Sequence, residues 1–394
     1  MPYHLYKYSH GNAVRIKNMI KFLKKSDVNV KLLMYDLPWI GDGNGYYYRV
    51  KPEIVLVAGL SRILFNLPTF DLACAILGPV RFFNRKLKKI IERESIDIVQ
   101  VENLWPLPPV VDSINGYPPV AVTLHDVYSN RYAELIEYDS RCPKAISEKI
   151  VQTVKKIELK YLNKVKAAVC LTEEDKAEYS KMGVDRDKLE VIPNGVDLKE
   201  IKPQKPNPSL RGRYGLKEGG LVLFFVGSMM YQNRKAVDDI ARYILPKILK
   251  EKKNVKMLIA GSVSKYVEEC GYPSKLPIIP LGYVKDLNQY YAIADLVVIP
   301  TFLGTGFKTK TLEAMAAGKP VVCTPRAVHG IEAINWKNIV ICSSFSEIVN
   351  AILFLNEHRE IAENIGKNAR ITAEKYEWCQ VFKKYISLYK NLKA

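Results

Sequence analysis

Between Pro300 and Pro325 the chain reads PTFLGTGFKTKTLEAMAAGKPVVCTP, and these residue types suit the capture of a phosphate anion. Gly304 and Gly306 allow backbone angles that a side chain forbids, so N–H groups can be turned toward one point. Lys308 and Lys310 stand where a helix is expected to start, adding two ammonium groups to the unpaired N–H groups of its first turn. A lone cation is disfavoured there, because a helix start is the positive end of the dipole, and that oddness favours a functional role for Lys310. Glu313 falls on the first turn as well. It either complements the dipole or accepts hydrogen bonds from a sugar hydroxyl.

The elements that must position this turn follow from the apolar pattern. Short apolar runs alternate with amphipathic helical stretches, which predicts parallel sheets covered on both faces by helices. Strands are expected at Val28 to Met34, Ile96 to Val101, Val120 to Leu124 and Ala167 to Leu171, then at Leu221 to Val226, Lys256 to Ile259, Leu296 to Ile299 and Val321 to Cys323. The segment Val191 to Asp197 and the proline-rich Lys202 to Leu210 separate the two groups, so a domain boundary is placed near Asn194. His125 directly follows the strand expected at Val120 to Leu124, at the end where ligands bind in parallel sheets. By itself it reads equally as a core histidine.

A chain of 394 residues with 48% hydrophobic residues can bury two cores, and 25% charged residues with 10% aromatic residues exclude disorder for most of it. The formal net charge of +18 asks for anionic company: nucleic acid, an anionic membrane surface or a phosphorylated substrate. No nucleic-acid reader motif accompanies that charge. Arg81 to Arg93 and Lys144 to Lys166 are basic helical stretches that fit a membrane-surface patch or plain solvated faces, with Arg62, Phe65, Phe70, Phe82 and Phe83 nearby in sequence. No uncharged run reaches the length of a spanning helix, no secretory signal opens the chain, and the seven scattered cysteines imply reduced thiols in a cytoplasmic protein.

Eight segments in order carry a family resemblance: Gly11 to Arg15 (GNAVR), Asp97 to Glu102 (DIVQVE), Thr123 to Asp126 (TLHD), Val191 to Asp197 (VIPNGVD), Phe225 to Met229 (FVGSM), Leu258 to Ser262 (LIAGS), Leu281 to Val284 (LGYV) and Lys310 to Val322. Together they resemble the retaining, nucleotide-sugar-dependent glycosyltransferases of family 4. The resemblance implies the GT-B fold, an α/β architecture of two Rossmann-like α/β/α domains with parallel sheets facing a central cleft. Residues 1–193 would form an acceptor-binding domain, residues 194–375 a donor-binding domain, and residues 376–394 a final helix packing back on the first.

What the resemblance implies for the site is specific. His125, Lys310 and Arg234 take catalytic roles, and Gly11, Asn12, Gly227, Asn233, Lys235, Val284, Gly306, Phe307, Lys308, Thr311, Leu312 and Glu313 bind the donor. Basic groups and a helix N-terminus neutralise the leaving diphosphate, so no metal and no cofactor are expected. Whether Arg234 or Lys235 supplies the second cation stays open, because Ser228 stands where many members carry arginine. Glu313 meets the donor ribose. Gly11 and Asn12 lie in a loop that brings N–H groups to the diphosphate. The partners are a nucleotide-sugar donor and a glycan or lipid-linked acceptor, with peripheral contact at an anionic membrane and no nucleic acid.

Three departures qualify the resemblance. Thr305 occupies the place of a sugar-binding glutamate, so donor-sugar recognition differs from that of the commonest members. Met1 to His10 is short and polar where relatives open with an apolar strand, so the first strand is expected to be shortened or absent: either the assigned start is too late or Tyr3 to Tyr8 makes do. Asp185-Arg186-Asp187 spells a metal-binding pattern of other glycosyltransferases but sits in a polar turn before an expected strand at Leu189 to Ile192. A non-catalytic partner protein and a GT-B-type nucleotide-sugar epimerase are the rival readings.

Overall fold

The computed structural model describes residues 11–26, 28–36, 46–49, 58, 60–61, 63–65, 72, 80–114, 116–215 and 219–393. The chain forms two compact units, one running to Asn194 and resumed from Trp378, the other spanning Gly195–Glu377. Each is built on parallel strands.

In the first unit β1 (Leu33–Asp36) pairs with β2 (Tyr46–Arg49), and β3 (Val99–Glu102), β4 (Val120–Leu124), β5 (Ala167–Cys170) and β6 (Leu189–Val191) form a four-stranded sheet in sequence order. Every residue of β4 (VAVTL) is buried, as a mostly apolar strand covered on both faces must be, with the Thr123 hydroxyl bonded to that of Tyr385. The helix Trp378–Lys393 belongs to this unit, where Trp378, Val381, Phe382 and Tyr385 pack with Met19 and Leu23 of the helix Gly11–Lys25. The strand expected at Val28 is displaced to Leu33–Asp36, because the N–H of Val28 still bonds to Leu23 O at 3.2 Å and closes the preceding helix. Tyr3 to Tyr8, Arg62 and Phe70 lie outside the described residues, as do the side chains of Phe82 and Phe83.

The second unit carries six parallel strands in the order β12, β11, β10, β7, β8, β9, where β7 is Leu221–Val226, β8 Val255–Ala260, β9 Ile278–Gly282, β10 Leu296–Ile299, β11 Val321–Cys323 and β12 Val340–Ile341. β7 and β10 are central neighbours that are far apart in sequence, so the turns after them lie side by side at the carboxyl edge. That juxtaposition positions the site. The strands β2, β9 and β12 were not expected from sequence; β12 has only two residues, too few for a period to show.

Among the described residues no helix is long and apolar enough to cross a membrane, and no group of three or more His, Cys, Asp or Glu side chains is placed to hold a metal. Asp185 accepts the N–H of Asp187 at 3.1 Å and caps a single 3₁₀ turn ahead of β6.

Candidate functional site

After β10 the chain passes through Gly304 at φ +97° and Gly306 at φ +69° before a helix begins at Thr309. Both angles lie in the left-handed region, which is why glycine stands at each. Lys308 curls back over this turn, its Nζ donating to the carbonyls of Gly304 at 2.9 Å and Thr305 at 2.6 Å. Its charge therefore braces the loop.

Lys310 points elsewhere. Its Nζ donates to Asn233 Oδ1 and lies 4.6 Å from the centroid of the Phe225 ring. Asn233 is buried in the helix Tyr231–Asp239 and donates to Ser228 O at 3.0 Å and Ser228 Oγ at 3.2 Å. One amide thus joins the turn after β7 to the loop after β10. Gly227 makes room for it, since a Cβ there would lie 2.9 Å from Asn233 Cγ.

The neighbouring expectations divide. Arg234 and Lys235 follow Asn233 on the same helix, where successive side chains point about 100° apart, so neither shares its face. Arg234 lies 5.8 Å from the Tyr266 ring, and Lys235 pairs with the buried Asp239 and stands 6.0 Å from Phe345. Thr311 and Leu312 turn inward: the Thr311 hydroxyl donates to Ala327 O at 2.6 Å and Leu312 is fully buried, so their side chains anchor the helix. Phe307 packs at 6.2 Å from Tyr376. Val284 follows β9 at the same edge of the sheet, beside Tyr283, whose ring is 78% exposed and was not singled out from sequence.

Burial lowers the Lys310 amine from 10.5 to about 7, helped by the nearby Lys308 charge. Burial raises the Glu313 carboxyl from 4.5 to about 7 against the pull of Lys310. The unfolded chain holds more protons at Lys310 between about pH 7 and 10.5, so that group's contribution to stability grows with pH across this window. Folded Glu313 holds more protons between 4.5 and about 7, so its contribution is lost as pH rises there. The pair costs the fold most near neutrality. A Lys310→Met, Glu313→Gln double variant is therefore expected to gain most in melting temperature over the wild type near pH 7, with the gain shrinking toward either side. A gain that stays flat with pH would refute the paired titration.

In the first unit His125 leaves β4 and is 6% exposed. Its Nε2 lies 3.3 Å from Glu102 Oε2, while its Nδ1 is buried with no hydrogen-bond partner among the described residues. Glu102 ends β3 and is paired in register with Thr123. Arg15, fully buried in the helix Gly11–Lys25, places Nε 3.8 Å from Glu102 Oε2 and donates to Asn194 Oδ1 at 2.7 Å and to the Tyr385 hydroxyl. Burial would raise the Glu102 carboxyl, but the His125 hydrogen bond and the Arg15 charge outweigh it and hold the group below its usual value. Asp126 is engaged by Arg131 at 3.0 Å. Gly11 and Asn12, expected in a loop, open the helix instead, where first-turn N–H groups lack intrahelical acceptors.

Glu102 beside His125, and Arg15 beside Glu102, were not singled out from sequence. The signal was present, since two of the motif segments end on them and a charged residue closing an apolar strand needs a partner.

Two parallel-stranded Rossmann-like units, with a glycine-rich basic turn at the carboxyl edge of the second, define a GT-B architecture. Residues 10–200 match the model for Glycosyltransferase Family 4 and residues 220–358 that for Glycosyl transferases group 1, and the chain belongs to this glycosyltransferase family. It is 27% identical over 217 residues to the D-inositol 3-phosphate glycosyltransferase of Nocardia farcinica, covering 52% of this chain and 46% of that one. The match therefore spans about half the length of that relative. The UDP-Gal:alpha-D-GlcNAc-diphosphoundecaprenol alpha-1,3-galactosyltransferase of Escherichia coli is 26% identical over 297 residues, covering 73% of this chain and 70% of that one. Among solved structures, Anabaena HepE in complex with UDP superposes with a TM-score of 0.68 at 16% identity, covering 97% of this chain and 96% of that one. A Rickettsia africae glycosyltransferase superposes with a TM-score of 0.70 at 16% identity, covering 98% and 96%. At these identities the likeness is one of fold.

Proposed function

We propose that the protein transfers a sugar from a nucleoside diphosphate sugar, bound by the second unit, to a hydroxyl of a glycan or lipid-linked acceptor bound by the first. The observation that carries this reading is Lys310 held at a helix N-terminus beside two left-handed glycines, a cradle for a diphosphate leaving group. Glu313 on the same helix suits ribose hydroxyls. The relative named for UDP-Gal and the neighbour solved with UDP support a nucleotide-sugar donor.

In this reading the leaving phosphate assists front-face attack, the anomeric configuration is retained, and Lys310 with the helix N-terminus replaces a metal. The test is a thermal-shift and calorimetric screen against UDP, GDP, ADP and their sugar conjugates, on wild type and Lys310→Ala, followed by assay in chelator and NMR of the product anomer. Stabilisation by one nucleotide, lost in the variant, supports the reading. No stabilisation of a folded protein would sink it, an inverted product or magnesium-dependent activity would remove its mechanism, and binding without turnover would favour the non-catalytic alternative.

The proposed acceptor side includes peripheral contact with an anionic membrane. The helix Val80–Glu94 buries Leu87 and Ile90 and exposes Arg85, Lys86, Lys88 and Lys89. Each basic residue near such a surface is worth about 1 kcal/mol. Changing all four to glutamine is expected to abolish sedimentation with liposomes containing anionic lipid; unaltered sedimentation would count against the membrane role.

A further inference from the structure

We infer that Glu102 is a positioning residue for His125: its carboxylate keeps the imidazole proton on Nε2 and leaves Nδ1 as a buried acceptor for a ligand hydroxyl. The inference deepens the proposed glycosyl transfer and rests on it for the nature of that hydroxyl, which belongs to a bound sugar. The Glu102 carboxyl is hydrogen-bonded by Gln100 and by His125 and stands in a longer ion pair with Arg15. Gln100 Nε2 lies 3.1 Å from Oε1, His125 Nε2 3.3 Å from Oε2, and Arg15 Nε 3.8 Å from Oε2. An ionised carboxylate is an acceptor only, so the shared hydrogen bond places the imidazole proton on Nε2.

The consequence falls on the other nitrogen. In the neutral ring Nδ1 then carries a lone pair, sits within a residue 6% exposed, and has no partner among the described residues. A buried polar atom left unpaired in this way is an acceptor awaiting a donor. It sits past the carboxyl end of β4, where ligands of parallel sheets bind. A sugar hydroxyl fits there, since the lone pair needs a donor and the Glu102 carboxylate disfavours an anion.

Other charged or titratable groups around the pair are already committed. Tyr385 donates toward Thr123 or accepts from it at 2.8 Å, and Tyr389 donates to Gln100 Oε1 at 3.0 Å, with burial pushing both hydroxyls up so that they stay neutral. Asp126 holds Arg131, and Glu158 accepts the N–H of Tyr128 at 2.7 Å. Glu102 alone of these is hydrogen-bonded to the His125 ring.

Glutamine is nearly isosteric, but its amide sets an N–H donor against Gln100 in one orientation and against His125 in the other. The second orientation drives the proton to Nδ1 and removes the acceptor. The chain has five histidines, so loss of one signal set in His125→Asn assigns the ring by nitrogen-15 NMR. In the wild type the neutral His125 ring is expected to carry its proton on Nε2. Glu102→Gln is expected to shift the population toward Nδ1–H and to lower kcat about 10–100-fold, with donor KM and nucleotide affinity unchanged.

A neutral wild-type His125 ring found as the Nδ1–H form would overturn the inference, a result that does not depend on the variant folding. A folded Glu102→Gln protein with wild-type kcat would overturn it too. If no nucleotide binds the wild type while the Nε2–H form is found, the transferase reading fails and the positioning by Glu102 stands.

Discussion

Replacing Lys310 by alanine is expected to lower kcat/KM for the nucleotide-sugar donor by about 10²–10³-fold, the scale of losing one preorganised charge at a leaving group. The variant should fold at least as well as the wild type, because the ammonium it removes is desolvated and its neighbour Lys308 repels it. In the proposed reading, the energy spent holding that amine is returned on diphosphate binding. With its pKa at about 7 in the free protein, Lys310 is only partly charged near neutrality, so an anionic ligand must draw a proton onto it. Calorimetry in buffers of different ionisation enthalpy should therefore report proton uptake on nucleotide binding. Affinity should fall with rising pH above neutrality by up to about tenfold per unit, and the part of that dependence carried by Lys310 should be lost in Lys310→Ala. Unchanged kcat/KM, or no linked proton in the wild type, would move the phosphate away from this lysine.

The second large effect concerns the frame of the site. Gly261 follows β8 at φ +90°, and its N–H bonds to Gly282 O at 2.8 Å. A Cβ there would stand 2.2 Å from the carbonyl oxygen of Gly227, the residue that gives way to Asn233. Gly261→Ala must relieve that clash by moving one of the two turns that frame the basic loop. Left-handed strain and the clash together are expected to cost about 3 kcal/mol or more in the unfolding of the second unit. Denaturant titration of both proteins measures it, and a cost below about 1 kcal/mol would show that the Gly227 turn yields freely. Nucleotide affinity should fall alongside, because Asn233 aims Lys310 from that turn.

Much of the second unit was legible because its signals are local. The runs Leu221–Val226, Leu296–Ile299 and Val321–Cys323 are strands where expected, each apolar on both faces as a covered parallel strand must be. The glycine-lysine turn was readable for the same reason: backbone freedom and charge placement at a helix start depend on a dozen consecutive residues. The strand expected at Val28 failed where two local signals compete, since an apolar run beginning inside a helix's closing turn satisfies either period.

The amino-acid sequence by itself determined the class of fold, the glycine-lysine turn after β10, and the place of the histidine at the end of β4. Only the tertiary structure decided what those groups touch. Lys310 meets Asn233 across 77 residues, and Arg15 meets Tyr385 across 370, separations that no periodicity encodes. The same folding turned Lys235 toward Asp239, sent Thr311 inward, and set Glu102 beneath His125. Propensity and pattern act over one turn or one strand, whereas the partner of a charged side chain is chosen by whichever strands the sheet makes neighbours. In this protein the pairings of β3 with β4 and of β7 with β10 made that choice.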